Sequence, residues 1–170
     1  MRKRILIVDD NPMNAHLAKL MLARAGFETY TVEGAGQALD FLVGMPVDVV
    51  VTDLRMPGEL DGLGLLTAIK EQKHDCEVVL VTAFATSDTA LAALAKGAYD
   101  YLTKPFKVDE INAVIGRAME KRALLDENRN LREQVAARSR MAQMLGKSPA
   151  MQKVFDLIGK PARGKTCPAI

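Results

Sequence analysis

Arg4-Ile5-Leu6-Ile7-Val8-Asp9-Asp10 decides the fold: four apolar residues, mostly β-branched, run straight into two carboxylates. A run this short and this apolar reads as a strand covered on both faces. The arrangement recurs along the chain. Val47 to Thr52, interrupted only by Asp48, runs into Asp53; Val78 to Val81 runs into Thr82; Tyr99 to Thr103 runs into Lys104-Pro105. Between these runs, Met13, Leu17, Leu20 and Met21 repeat at helical spacing, as do Ala38, Leu39, Leu42 and Val43. Strands alternating with helices predict a parallel sheet, whose strands all end at the same edge. Residues far apart in sequence then meet where ligands bind such sheets.

Polarity predicts the strand order. The run from Phe27 to Val32 carries Glu28, Thr29 and Thr31, and the one before Lys104 is short and contains Asp100. Mixed strands belong at the edges, and the order 2-1-3-4-5 puts these two there. The predicted fold is an α/β, flavodoxin-like, doubly wound five-stranded parallel sheet with a long C-terminal helix.

The shared edge gathers three carboxylates, a hydroxyl and an ammonium. Carboxylates crowded into one cleft repel each other unless a cation intervenes, and one Lys does not balance three acids. A hard divalent cation would, and Mg²⁺ takes one or two carboxylates plus waters and a phosphate oxygen. An ionised Asp can also act as a nucleophile and form an aspartyl-phosphate. The Lys104 ammonium and the Thr82 hydroxyl would then face the transferring oxygens beside the metal. Asp53, alone at its strand end, is the expected nucleophile, and Asp9 and Asp10 are the expected metal acids.

These residues carry a resemblance. Asp9-Asp10 after the first strand, Asp53-Leu54-Arg55-Met56-Pro57, Thr82-Ala83 and Lys104-Pro105-Phe106 are similar to the receiver domain of bacterial response regulators, over roughly residues 3–122. The resemblance implies phosphorylation of Asp53 by a histidine kinase, with Asp9, Asp10, Asp53 and the Arg55 carbonyl around Mg²⁺. It also implies a Thr82–Tyr101 switch pair and a cis Lys104-Pro105 bond, which an X-Pro bond tolerates at modest cost. Arg55 and Phe84 are expected to flank the path of an attacking water and to slow dephosphorylation. One departure stands out. The family pattern Met-Pro-Gly-x-Asp-Gly reads here Met56-Pro57-Gly58-Glu59-Leu60-Asp61-Gly62, one residue longer, so the loop beside the pocket is expected to be displaced. Flavin proteins share the fold, but two carboxylates after the first strand would repel a flavin phosphate.

Composition bounds the alternatives. The chain has 170 residues, 49% hydrophobic and 26% charged, with a net charge of +2, too small to argue for direct nucleic-acid contact. The basic start, Met1-Arg2-Lys3-Arg4, precedes only four apolar residues, short of the ~7 of a signal peptide core. No stretch approaches the ~20 residues of a membrane span. Cys76 and Cys167 lack metal-type spacing. They read as free thiols, and the expected location is cytoplasmic.

From Lys107 to Leu145 there is no proline and only Gly116. Ile111, Val114, Ile115 and Ala118 are expected to cover the sheet. Beyond them Leu124, Asn128, Leu131, Val135, Arg138, Ala142 and Leu145 recur at spacings of four and three, a heptad seam with polar interruptions at Asn128 and Arg138. Such a helix would be nearly ~60 Å long, against a radius of gyration near ~13 Å for a domain of this size. A second copy of the helix is therefore the expected partner, making a homodimer. Residues 144–158 resemble the opening of the ATPase domain in NtrC-type sigma-54-dependent activators, with Ser148-Pro149 restarting a helix. The expected organisation is a receiver at 1–122, a coiled-coil linker at 123–145 and a truncated ATPase start at 146–170. Contact with sigma-54 RNA polymerase would need the missing ATPase. Gly159 to Thr166 matches the spacing of a phosphate-binding P-loop, but no strand precedes it and it reads as a chance match. The expected chain is no enzyme beyond its own phosphorylation and dephosphorylation. The alternatives are a stand-alone receiver or dimerisation module, and a phosphatase or P-loop NTPase.

Overall fold

The computed structural model of the chain describes residues 3–83 and 87–146, with the backbone alone at 87–88 and 138–146. Strands and helices alternate throughout: β1 Arg4–Val8, α1 Pro12–Arg24, β2 Glu28–Val32, α2 Ala35–Gly44, β3 Val49–Asp53, α3 Gly62–Glu71, β4 Glu77–Thr82, α4 Ser87–Ala95, β5 Asp100–Thr103 and α5 Val108–Gly146. The strands form one parallel sheet in the order β2-β1-β3-β4-β5. The two polar strands lie at its edges, as their composition required, while β1, β3 and β4 are almost wholly buried.

Successive side chains of a strand point to opposite faces, so each central strand supplies two cores. Leu6, Val8, Val50, Val78 and Leu80 pack against Ala38 and Leu42 of α2, Leu65, Leu66 and Ile69 of α3, and Ala93 of α4. Ile5, Ile7, Val49, Val51, Val79 and Val81 pack against Ala15, Ala18 and Leu22 of α1 and Ile111, Ile115 and Met119 of α5. Fully burying one such aliphatic side chain contributes about 1.5–3 kcal/mol.

Helical periodicity located α1 but not its inner face. Ala15, Ala18 and Leu22 are buried, whereas Met13, Leu17 and Leu20 are exposed. The small residues let the helix axis approach the sheet, which leaves the larger ones on the outer flank. In α2 the same division puts Ala38 and Leu42 inside and Val43 outside.

Ions fix α5 to the opposite edge from the strand ends discussed below. The Lys121 ammonium sits 2.8 Å from the Glu77 carboxylate at the start of β4 and 5.2 Å from the centre of the Tyr99 ring. The buried Arg122 guanidinium hydrogen-bonds Asp75. The chain divides inside α5 into two compact units, Met1–Leu124 and Leu125–Ile170. In the second, Leu125, Leu131 and Val135 are exposed. The restarted helix expected at Ser148-Pro149, the P-loop-like stretch and Cys167 lie outside the described residues. No described helix is long and apolar enough to cross a membrane.

Candidate functional site

Four of the sequence-predicted residues meet at the C-terminal edge of the sheet. β1 and β3 are neighbours, so Asp9, just past β1, and Asp53, the last residue of β3, come out side by side. Asp9, Asp10 and Asp53 each bring a carboxylate oxygen within 4.8 Å of the others. Asp9 is buried, Asp53 half-buried and Asp10 exposed. Lys104, on the far side of β4, reaches across: its ammonium lies 2.7 Å from Asp9 Oδ2 and 2.5 Å from Asp53 Oδ2.

The second oxygen of each inner carboxylate is held by the main chain. The Asn11 amide donates to Asp9 Oδ1 at 2.9 Å, and the Arg55 amide donates to Asp53 Oδ1 at 3.1 Å. The Asn11 side chain in turn accepts from the Met13 amide and caps α1, whose first residue is Pro12. The turn into α1 thus fixes Asp9 Oδ1, while Lys104 holds Oδ2. Burial draws the Lys104 ammonium towards losing its proton. The hydrogen bonds and charges of Asp53 and Asp9 outweigh that, and its pKa is raised above the ordinary lysine value.

Thr82 ends β4 and is buried. The Lys104 amide donates to its carbonyl at 2.7 Å, and the peptide bond between Lys104 and Pro105 is cis. Thr82 and Tyr101 line one small cavity together with Leu54, Leu80 and, from α4, Thr89, Ala90 and Ala93. A larger cavity of about 380 Å³ opens beside the acids, lined by Asp9, Asp53, Lys104, Leu17, Pro105 and Phe106 among others. Arg55 is exposed. Phe84 lies outside the described residues.

Two groups escaped the sequence reading. The Thr52 hydroxyl donates to the Asp53 carbonyl at 3.1 Å, and Gly62 at the start of α3 presses on the same carbonyl. A helix that opens Gly62-Leu63-Gly64 was the visible signal, since glycine is a poor helix former.

The donor set fits a hard divalent cation. All three candidate ligands are carboxylates, and three negative charges against the one Lys104 ammonium leave an excess of two.

Residues 5–116 match the response regulator receiver domain, and the chain belongs to that family. Its order of elements, its sheet order and the long α5 agree with that fold. Among curated proteins it is similar to the DNA-binding transcriptional regulator NtrC of Klebsiella pneumoniae, 38% identical over 157 residues, which span 92% of this chain and 32% of that one. Among solved structures it is similar to NtrX from Brucella abortus in complex with ADP, with a TM-score of 0.72 and 34% identity over 93% of this chain and 34% of that one. The beryllofluoride-activated NtrC4 receiver domain dimer gives a TM-score of 0.66 and 32% identity, covering 70% of this chain and 98% of that one. The chain therefore spans about a third of the length of the curated relatives it matches.

Proposed function

We propose that this chain is the phosphorylation-controlled input of an NtrC-type, sigma-54-dependent transcription activator, accepting a phosphoryl group on Asp53 from a histidine kinase. The observation that carries the reading is the Lys104 ammonium held between Asp9 and Asp53, with Asp10 beside them. Asp9, Asp10 and Asp53, with the Arg55 carbonyl, would hold Mg²⁺. When bound, the ion neutralises the excess negative charge and polarises phosphoryl oxygens.

The chain's own groups have separable roles. An Asp53 carboxylate oxygen attacks phosphorus, and the bond from phosphorus to the donor's leaving nitrogen or oxygen breaks. The Arg55 amide holds the other Asp53 oxygen and aims the nucleophile. Lys104 supplies positive charge to the phosphoryl oxygens, and the Thr82 hydroxyl donates to one of them. Movement of Thr82 would be passed to Tyr101 through the small cavity they share, and α4 would follow. Of the α4 side chains, Ala93 is buried while Leu91 and Leu94 are exposed, so little packing opposes that shift.

The organisation that goes with this function is a receiver at 1–122, a dimeric linker helix at 123–145 and the start of an ATPase domain at 146–170. Similarity to NtrC over most of the chain supports it, as does the segment at 144–158. Incubation with Mg²⁺ and a small phosphodonor, read by intact mass, should add one phosphoryl group, and Asp53→Asn should abolish it. Modification that persists in Asp53→Asn would reject Asp53 as the acceptor. Nucleotide turnover lost on changing Lys165, or phosphoester turnover lost on changing Asp53, would favour an NTPase or phosphatase instead.

A further inference from the structure

The extra residue between β3 and α3 is taken up on the outside of the molecule. Pro57, Gly58, Glu59 and Leu60 are all exposed, and Gly58 turns the chain with a φ of +121°. Asp61 and Gly62 then return to the sheet edge. The Asp61 carboxylate accepts the Gly64 amide at 2.7 Å and caps α3, while the Gly62 amide donates to the Leu54 carbonyl at 3.0 Å.

Gly62 does not have the positive φ that favours glycine; it is there for lack of space. A Cβ at this position would lie 2.2 Å from the Asp53 carbonyl oxygen and 2.8 Å from Leu54 Cα. Both are main-chain atoms at the end of β3, so no side-chain rotation relieves the clash. The Thr52 hydroxyl holds the same Asp53 carbonyl at 3.1 Å. The main chain of Asp53 is thus seated between Thr52 and the first residue of α3.

We propose that Gly62 is a positioning residue for Asp53: its bare Cα lets α3 abut the Asp53 main chain and keeps the carboxylate in register with Asp9 and Lys104. Loop length at 57–60 is free to vary because the register is set afterwards, at Asp61-Gly62. The inference rests on Asp53 being the phosphoacceptor. A Cβ at 62 would sit more than 1 Å inside the 3.4 Å of ordinary contact. Misplacement of a reacting group by that much costs up to about a hundred-fold in rate.

The test uses the full chain with Mg²⁺ and acetyl phosphate, following the initial rate of Asp53 phosphorylation across donor concentrations. Gly62→Ala, Gly64→Ala and a deletion of Glu59 are compared with wild type well below their unfolding midpoints. Gly62→Ala should lower the maximal rate roughly ten-fold or more while the half-saturating donor concentration changes less than about two-fold. The three nearest atoms to a Cβ at Gly64 are all side-chain atoms, Leu60 Cδ2 at 3.0 Å and, at ordinary contact distance, Asp61 Oδ1 at 3.4 Å and Leu60 Cβ at 3.5 Å, so Gly64→Ala should keep its maximal rate within about three-fold, as should the deletion. A folded Gly62→Ala with a wild-type maximal rate overturns the proposal, and so does a ten-fold loss in the Glu59 deletion. Should Gly62→Ala not fold, Thr52→Val decides: removing the hydroxyl from the same carbonyl should cost about three-fold or more, and an unchanged rate rejects the seat. No phosphorylation of wild type by any donor would instead remove the phosphoacceptor reading, and the inference with it.

Discussion

Cys76 shows how burial can outweigh nearby charges in setting a side chain's chemistry. It sits in the core between α3 and β4, a free thiol, and desolvation pushes its pKa from 9.0 to about 11. Below pH 9 the thiol is protonated whether the chain is folded or not, and its contribution to stability is fully present. Above pH 9 the unfolded chain ionises first, so that contribution is lost as pH rises towards 11. The slope is at most about 1.4 kcal/mol per pH unit. Urea unfolding of wild type and Cys76→Ala across pH 8–11 should therefore converge as pH rises, other groups cancelling in the difference. Parallel curves would mean that water reaches the thiol. At this scale the site was legible in part. Asp9, Asp53, Thr82 and Lys104 could be read because each follows an apolar run. Of the seat formed by Thr52 and Gly62 only the glycine at the start of a helix was visible; what it rests against was not, because that is a main-chain contact between a strand and a helix nine residues further on.

Elements are joined by contacts that sequence spacing does not announce. Glu77 is 5% exposed, and Lys121 of α5 is the ion partner that compensates its charge. Lys121→Met keeps the apolar stem but leaves the carboxylate buried without that partner. A group stranded in this way costs about 1–3 kcal/mol, so the urea midpoint should fall accordingly while Asp53 still accepts phosphate. A change below about 0.5 kcal/mol would show that solvent substitutes for the ammonium. α1 teaches a related lesson. Its apolar period marked a helix, yet the buried stripe is Ala15, Ala18 and Leu22 and the large Met13, Leu17 and Leu20 face outward. Which stripe turns inward depends on how closely the helix can approach the strands, and small residues win that competition.

For the whole molecule, the exposed seam of α5 argues for association. Leu124, Leu131 and Val135 of the predicted seam are 66%, 53% and 67% exposed. Burying them against a second copy of the helix would yield several kcal/mol at ~1.5–3 per side chain, enough to hold a modest dimer. Light scattering should give twice the 18.5 kDa chain mass for residues 1–170 and a largely monomeric species for residues 1–122. Leu124→Lys with Leu131→Lys should shift the full chain towards monomer without touching phosphorylation. Dimers that survive both changes at low micromolar concentration would put the contact on the receiver and leave the linker a solvated spacer.

The sheet, its strand order and the residues that meet at its edge were all legible in the chain's pattern of apolar and polar residues. Strand polarity separates edge from centre, and parallel strands deliver every C-terminal end to one side. The long α5 was equally plain, since a stretch from Lys107 to Leu145 without proline has little else to become. Folding in three dimensions was needed to see that Lys104 bridges Asp9 and Asp53, that the extra loop residue lies outside, and that Gly62 rests on the Asp53 carbonyl. These are matters of contact across 51 and 95 residues of chain, or of a missing side chain against a backbone. Local periodicity records which way a residue faces within its own element; it does not record what another element brings up against it.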